Sequence, residues 1–178
     1  MVIIDTKFTD LLCIDFKSFT DIRGEFVKTI HKETFEQNKL DWNFTESFFS
    51  KSFKNVLRGM HFQYSPADHN KLVYVVSGKI LDVVVDLRKE SKTYGEFYSV
   101  ELSDENRKGI YIGKGFAHGF LTLQDNSIVE YHTSTSQDRQ AEGGIKWDSF
   151  GFEWPVDNPI MSERDSSFEA FNLDKTYF

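Results

Sequence analysis

One stretch of the chain, KNVLRGMHFQY at Lys54–Tyr64, combines the pattern of a β-strand with residues that can carry chemistry. Side chains alternate between the two faces of a strand, so His61 and Gln63 share one face and Arg58 points the other way. A β-bulge at Gly59 would turn Arg58 towards the face of His61. The segment alone also fits a half-buried strand with an incidental histidine, so its meaning depends on the rest of the chain.

The composition indicates a single domain spanning residues 1–178. Eighteen phenylalanines supply much apolar area for a core, and the net charge of −7 disfavours a general nucleic-acid surface. The one cysteine, Cys13, excludes an internal disulfide and a multi-cysteine metal site. No stretch is long and apolar enough to span a membrane, and the start MVIIDTKFTD does not resemble a signal peptide. We therefore expect a cytoplasmic protein.

Runs of β-branched residues between turn residues predict many short strands. KLVYVV at 71–76 and KILDVVVDL at 79–87 flank Ser77-Gly78, which predicts a hairpin with a two-residue turn. Further strands are predicted near 97–102, 108–112, 120–123 and 127–135, with a glycine-rich bend at 113–119 and a short helix at about 32–39. This pattern predicts an all-β fold, either an antiparallel sandwich or a barrel.

Three residues elsewhere fit ordinary structural roles when each is taken alone. Arg23 lies in the turn DIRG at 21–24, where a charged side chain is normally solvated. Tyr131 faces inward on its predicted strand, where a tyrosine commonly fills the core. Asp165 follows Ser162, the expected N-cap of a short helix, and a carboxylate is favourable in that first turn.

Taken together, seven segments resemble, in the same order, the dTDP-4-dehydrorhamnose 3,5-epimerases, the RmlC-like group of the cupin superfamily. LRGMHFQ at 57–63 and GFAHGF at 115–120 are the most specific. The others are FTDIRG at 19–24, KLV at 71–73, DVVVDLR at 82–88, GIKW at 144–147 and SERD at 162–165. The resemblance implies a double-stranded β-helix, or jelly roll, with a few short peripheral helices. It also implies a homodimer, often formed by exchange of N-terminal strands.

The resemblance assigns a role to each matching side chain. His61 would be the general base, oriented by Asp165, and Tyr131 the acid that returns a proton to the opposite face of the sugar. Lys71 would stabilise the enolate oxygen. The implied substrate-binding residues are Arg23 and Arg58, for the diphosphate, together with Gln63, His118, Glu46, Phe19 and Glu142.

These residue types suit epimerisation next to a ketone. Removing a hydrogen beside a carbonyl requires a base and a cation or donor near the oxygen that gains charge. Inversion also requires protonation from the opposite face, and so a second residue. Imidazole titrates near ~6.5 in model peptides, which suits a base at neutral pH. We expect a nucleotide-diphospho-4-keto-deoxysugar substrate, no metal, no organic cofactor, and a place in deoxysugar biosynthesis such as that of lipopolysaccharide O-antigen.

Several positions depart from the family pattern. Glu46 and Phe48 stand where the family usually has a Gln-x-Asn pair, and Lys28 replaces an acidic residue. Ser136 and Gln137 replace two tyrosines, and Gly113-Lys114 replaces Pro-Glu. The changes spare the implied catalytic residues and fall among the implied sugar and nucleotide contacts. We therefore expect the same chemistry on a substrate other than the usual thymidine-linked 4-keto-6-deoxyglucose.

Four alternatives remain open from the sequence. Three are an epimerase that acts at C3 only, a ketoisomerase of the same fold, and a non-catalytic nucleotide-sugar-binding cupin. The fourth is a metal-dependent cupin oxygenase, whose ligands would be His61, His69, His118 and a carboxylate. The HxH pair usual in metal-binding cupins is absent from the chain.

Overall fold

Thirteen β-strands and two short helices make up the computed structural model, which describes residues 1–178. The helices are α1 (Lys32–Gln37) and α2 (Glu163–Ser166), and neither is long or apolar enough to cross a membrane. The strands are β1 (Val2–Asp5), β2 (Leu11–Asp15), β3 (Ser18–Asp21), β4 (Gly24–Val27), β5 (Glu46–Ser52), β6 (Leu57–Gln63), β7 (Lys71–Ser77), β8 (Lys79–Asp86), β9 (Phe97–Ser103), β10 (Lys108–Ile112), β11 (Phe116–Thr122), β12 (Ser127–Thr133) and β13 (Glu142–Gly144).

Two antiparallel sheets pack face to face. The front sheet has the strand order β1-β2-β10-β7-β12-β5, and the back sheet has the order β13-β6-β11-β8-β9. Most neighbours within a sheet are distant in sequence, so the chain crosses repeatedly between the sheets. The fold is a jelly roll, as the resemblance implied. The remaining strands, β3 and β4, pair only with each other and form a separate hairpin.

Apolar side chains fill three layers around these sheets. Phe120, Val73 and Val84 belong to the core between the sheets. The outer face of the back sheet is covered by the C-terminal part of the chain, which contributes Trp154 and Tyr177. Helix α1 covers the outer face of the front sheet. The back sheet is therefore buried on both faces, which holds β6 and β11 in place from both sides.

The predicted hairpin across Ser77-Gly78 is wrong. Strand β7 pairs with β10 and β12, whereas β8 pairs with β9 and β11, so the chain passes from one sheet to the other at Gly78. The predicted alternation in β8 is correct, with Asp82 facing the core between the sheets and Val83 facing away from it. Alternation identifies the faces of a strand but does not identify its partners.

A β-bulge in β6 shapes the region of the predicted site. His61 lies opposite His118 of β11, and Arg58 lies opposite Phe120, so β6 has one extra residue between these pairs. The bulge turns Arg58 to the same face as His61, as expected from the sequence. Gly59 has a φ of +131°, and a Cβ there would lie 2.5 Å from the Cα of a neighbouring glycine on β11. Only glycine fits this position.

The glycine-rich segment 113–119 is a bend only in its first half. Strand β11 begins at Phe116, so His118 lies on a regular strand of the back sheet. The prediction of a bend over the whole segment is wrong, because Gly119 serves close packing rather than a turn. A Cβ at Gly119 would lie 2.5 Å from the Met60 Sδ.

Candidate active site

A cavity of about 440 Å³ lies between the two sheets, where β5 and β12 of the front sheet face β6 and β13 of the back sheet. Its size falls within the range of ligand-binding pockets. The lining residues are Glu46, Phe48, His61, Phe62, Gln63, His69, Lys71, Thr133, Gln137, Glu142 and Arg164. The fold thus brings together five predicted site residues, which are His61, Lys71, Gln63, Glu46 and Glu142.

His61, which lines this cavity, forms a hydrogen-bonded acid–base pair with Asp165. The His61 Nε2 lies 2.8 Å from the Asp165 Oδ1. Because a carboxylate accepts hydrogen bonds, Nε2 carries the proton and Nδ1 is left as the basic nitrogen. The His61 side chain is about one-third exposed, at 36%, so a ligand in the cavity can reach it. The ring edge of Phe168 packs against the imidazole.

Asp165 is buried and held by three hydrogen bonds. Besides its contact with His61, it accepts a hydrogen bond from the Gly59 N–H at 3.1 Å, and its own N–H donates to Ser162 Oγ at 3.1 Å. Burial by itself raises the pKa of the carboxyl group, but the hydrogen bonds and the charge of His61 lower it overall. Ser162 is the N-cap of α2, as predicted, and this short helix carries Asp165 to the cavity.

Lys71 enters the cavity from the front sheet, at the start of β7. It lies directly opposite Thr133 of β12 in the ladder. Burial lowers the pKa of the Lys71 ammonium to about 8, and the negative charge of Asp82 opposes this effect. The ammonium is therefore a poorly hydrated cation, and such a cation stabilises a nearby oxyanion strongly.

A second histidine–carboxylate pair lies behind Lys71. His118 Nε2 is 2.7 Å from Asp82 Oδ2, and both side chains are buried. Burial lowers the pKa of His118 despite the adjacent carboxylate, so the imidazole stays neutral. Asp82 Oδ1 has no hydrogen-bond partner. Asp82 was not among the predicted site residues; its signal was a carboxylate, like Asp86, on the inward face of an otherwise apolar strand.

Tyr131 lies on the front sheet beside the cavity rather than in its lining. Its hydroxyl is 3.1 Å from Ser50 Oγ, and the Phe48 ring, which does line the cavity, stacks on the tyrosine ring. Burial raises the pKa of Tyr131, so the phenol keeps its proton. The charges of Asp82 and Arg58 also act on this hydroxyl. Tyr131 and His61 therefore belong to opposite sheets, and only His61 lines the cavity.

A chain of polar contacts closes one end of the cavity. The Glu46 carboxylate accepts a hydrogen bond from the Gln137 N–H at 2.9 Å, and the Gln137 side chain donates to Glu142 at 2.5 Å. Glu142 also pairs with Arg164 at 2.8 Å. Sequence reasoning missed Arg164, although it stands beside Asp165 in the matched SERD segment. Glu46 and Gln137, two of the positions that depart from the family pattern, are hydrogen-bonded to each other in this series of contacts.

The amide of Gln63 is used to hold two loops together. Its Nε2 donates to the Ala67 carbonyl at 2.7 Å, and its Oε1 accepts from the Asp138 N–H at 2.7 Å. Next to it, burial and the charge of Lys71 lower the pKa of His69 to about 3, so this imidazole is neutral.

Three histidines line a smaller cavity of about 20 Å³ further inside, namely His61, His69 and His118. No three histidine, cysteine, aspartate or glutamate side chains are grouped closely enough to hold a metal ion. The ligand set considered for a metal-dependent oxygenase is therefore not assembled in this chain.

The remaining predicted residues lie outside the cavity lining. Arg58 is exposed and donates from Nε to Ser52 Oγ at 3.0 Å. Arg23 is at the tip of the β3–β4 hairpin, where it pairs with Asp21. Phe19, on the same hairpin, is 65% exposed. Within one chain, neither Phe19 nor Arg23 reaches the cavity.

The geometry therefore combines an imidazole backed by a carboxylate and a buried cation at one cavity, with a protonated phenol just outside its lining. A model of the dTDP-4-dehydrorhamnose 3,5-epimerase family matches residues 5–172. The chain belongs to this family. Its relatives are isomerases, and the dTDP-4-dehydrorhamnose 3,5-epimerase of Methanothermobacter thermautotrophicus is 41% identical over 98% of this chain and 96% of its own length.

Solved structures of the epimerase family have the same fold. The dTDP-6-deoxy-D-glucose-3,5-epimerase of Legionella pneumophila, in complex with dTDP-4-keto-L-rhamnose, has a TM-score of 0.91 and 33% identity, covering 97% of this chain and 93% of its own. A 3'-monoepimerase of Streptomyces bikiniensis, in complex with dTDP-quinovose, has a TM-score of 0.90 and 26% identity, covering 96% and 87%.

Proposed function

We propose that this chain is a 3,5-epimerase of a nucleotide-diphospho-4-keto-6-deoxysugar. One observation carries the proposal: the His61–Asp165 pair and the Lys71 ammonium enter a single cavity from opposite sheets, in a chain that belongs to an epimerase family. A base and a cation separated by a cavity are what proton removal next to a ketone requires.

In the proposed reaction, His61 Nδ1 removes the hydrogen from a carbon next to the ketone. Asp165 stabilises the imidazolium that forms, and Lys71 stabilises the enolate oxygen. Tyr131 then donates a proton to the other face of that carbon, which inverts it. Once His61 has released its proton to solvent and Tyr131 has taken one up, the same steps act at the second carbon. The raised pKa of Tyr131 supports its role as a donor, because its hydroxyl is protonated at neutral pH.

The substrate is proposed to differ from the usual thymidine-linked 4-keto-6-deoxyglucose. In support, Glu46, Phe48 and Gln137, all departures from the family pattern, line the cavity itself. They replace neutral amides and an aromatic hydroxyl with a carboxylate, a phenyl ring and an amide. Such changes alter which sugar or base groups find partners and leave the proton-transfer residues intact.

The working unit is proposed to be a homodimer in which the β3–β4 hairpin of one protomer completes the cavity of the other. The hairpin exposes Phe19, Ile22 and Phe26 and pairs with no other strand of its own chain. Exposed apolar side chains grouped in this way favour an interface. Arg23 at its tip would then supply charge for the diphosphate. The cytoplasmic location expected from the sequence stays a prediction.

A 3-only epimerase is the second candidate, and the likeness to the Streptomyces bikiniensis 3'-monoepimerase supports it. Proton NMR in heavy water separates the two, because each inverted carbon takes one deuterium from solvent. We expect deuterium at C3 and C5; a single deuterium at C3 would replace the double epimerase with the 3-only enzyme.

The same NMR measurement across several nucleotide carriers and 4-keto sugars tests the choice of substrate. We expect at least one pair to exchange faster than the thymidine-linked 4-keto-6-deoxyglucose. Turnover of the thymidine-linked sugar alone, at an efficiency usual for such enzymes, would refute the proposal that the substrate differs from it. Binding without any solvent exchange would instead indicate a non-catalytic binding protein.

A further inference from the structure

Phe48 is an apolar ring on a mostly polar cavity wall. It lies directly opposite Tyr131 in the β5–β12 ladder, and the two rings stack with centroids 4.8 Å apart and planes 14° apart. Phe48 is 45% exposed, whereas Tyr131 is 7% exposed. One face of the Phe48 ring therefore covers the tyrosine, and the rest is open to the cavity.

No other apolar side chain offers this surface to a ligand. The cavity lining contains two apolar residues, Phe48 and Phe62, and Phe62 packs into the core on the outer side of the back sheet. Phe48 belongs to none of the buried core clusters. It is thus not needed to fill the core, and its ring is available for contact with a bound molecule.

The neighbours of Phe48 on this wall that line the cavity are polar. Glu46 and Thr133 lie one step along the ladder, and Glu46 accepts hydrogen bonds only. A sugar hydroxyl placed against Glu46 finds an acceptor, whereas a hydroxyl pressed against Phe48 loses its bond to water and gains none. A methylene against the same ring is favoured, because apolar surface leaves water.

The proposed reaction limits which carbon of the sugar can carry either a hydroxyl or only hydrogen at the position facing Phe48. In a nucleotide-diphospho-4-keto-6-deoxyhexose, C1 carries the diphosphate, C4 is the ketone, C3 and C5 react, and C6 is already a methyl group. C2 is the one carbon whose hydroxyl can be removed without changing the reaction.

We propose that Phe48 is a specificity-determining residue that makes this enzyme selective for 4-keto sugars lacking the 2-hydroxyl, that is, nucleotide-linked 4-keto-2,6-dideoxyhexoses. The inference rests on the proposed function and refines its substrate class. The enzyme that supplies such a substrate would have to be one that removes the C2 oxygen before epimerisation.

The test compares a 4-keto-6-deoxyhexose with its 2-deoxy counterpart, on the nucleotide that the turnover screen selects. The ratio of their kcat/KM values is measured by deuterium incorporation, and their Kd values by calorimetry. We expect the wild-type protein to favour the 2-deoxy sugar by about 5- to 100-fold, the span that one unpaired hydroxyl produces. Phe48→Asn is expected to abolish or reverse that preference.

Two further variants separate the polarity of the side chain from other effects. Phe48→Leu keeps an apolar surface and is expected to keep the preference, although it loses the stacking on Tyr131. Phe49→Asn makes the same exchange on the opposite face of β5, where the residue is 67% exposed and outside the cavity lining. It is expected to leave the ratio as in the wild type.

Equal ratios in the wild type and Phe48→Asn would overturn the inference. Absence of deuterium from both sugars, with a Kd preference that Phe48→Asn removes, would overturn the epimerase activity but uphold selection by Phe48. Equal exchange rates for the two sugars, with no Kd preference, would uphold the epimerase activity and overturn selection by Phe48.

Discussion

The His61 Nε2 and the Asp165 Oδ1 lie 2.8 Å apart, although 104 residues separate them in the chain. The other carboxylate oxygen accepts a hydrogen bond from the Gly59 N–H, so the bulge in β6 and the start of α2 fix this pair together. The carboxylate therefore selects the tautomer of the imidazole and holds its ring in one orientation. The proposed base is thus held in place by groups of its own chain.

Asp165→Asn is expected to lower kcat by about 10²- to 10⁴-fold with little change in the fold. The amide can hold the imidazole in the wrong tautomer and does not stabilise the imidazolium. The loss is measured by deuterium exchange under saturating substrate. Asp157→Asn changes an exposed carboxylate away from the cavity and serves as the matched control. A rate equal to that of the control would remove Asp165 from the mechanism.

Tyr131→Phe is expected to separate proton exchange from inversion. The substitution removes only the hydroxyl and its contact with Ser50, so the ring still stacks with Phe48. His61 can still remove and return a proton on its own face, while net inversion falls by about 10²- to 10⁴-fold. NMR measures exchange and inversion in the same sample. Normal inversion by Tyr131→Phe would assign the acid to another group, and Tyr64→Phe controls for loss of a hydroxyl elsewhere.

The fold class could be predicted from the sequence because inward-facing and outward-facing residues alternate within each strand, and this alternation is visible one strand at a time. Alternation gave the two faces of β8 and the inward position of Tyr131, and the turn chemistry gave the ends of most strands. It did not give the partners of β7 and β8, since pairing depends on which strands are neighbours in space. A glycine such as Gly119 reads as a turn although it permits close packing of two strands.

The site was predictable only in part. The roles of His61 and Asp165 followed from a resemblance, since spacing alone gives no reason to join residues 104 positions apart. Asp82 and Arg164 were missed, because each reads as an ordinary strand or helix residue until the fold brings Arg164 to the cavity and Asp82 to His118 behind Lys71. Neither Phe19 nor Arg23 could be placed by sequence, since the hairpin that carries them lies away from its own cavity.

The activity is expected to fall as the pH rises through about 8. Burial lowers the pKa of Lys71 to about 8, so the ammonium proposed to stabilise the enolate is present below this pH and is lost above it. The pH dependence of kcat/KM measures this limb for the free enzyme. In Lys71→Arg the guanidinium stays charged, so the fall near pH 8 should disappear even if the rate is lower. If kcat/KM of Lys71→Arg falls at the same pH as that of the wild type, the fall reports the titration of a different group.

Gly59→Ala is expected to destabilise the protein more than Gly24→Ala. Both glycines have similar φ values, +131° and +118°, so both substitutions strain the backbone. Only the Cβ at position 59 meets another atom, 2.5 Å from Gly119 Cα, whereas nothing lies within 4 Å of the Cβ at position 24. The free energy of unfolding should therefore fall by about 1–3 kcal/mol more in Gly59→Ala. Equal losses in urea unfolding would show that β6 and β11 can move apart.

Mixing two inactive variants tests whether the hairpin completes the partner's cavity. Arg23→Ala removes the charge at the hairpin tip, and His61→Ala removes the base. If each hairpin serves the other protomer, a mixed dimer contains one cavity with both His61 and Arg23, so random co-assembly should restore about a quarter of the wild-type sites. If each hairpin serves its own chain, no mixture regains activity. Co-expression of His61→Ala with Lys51→Ala, which alters an exposed lysine, should retain about half of the wild-type sites in either arrangement and so controls for co-assembly.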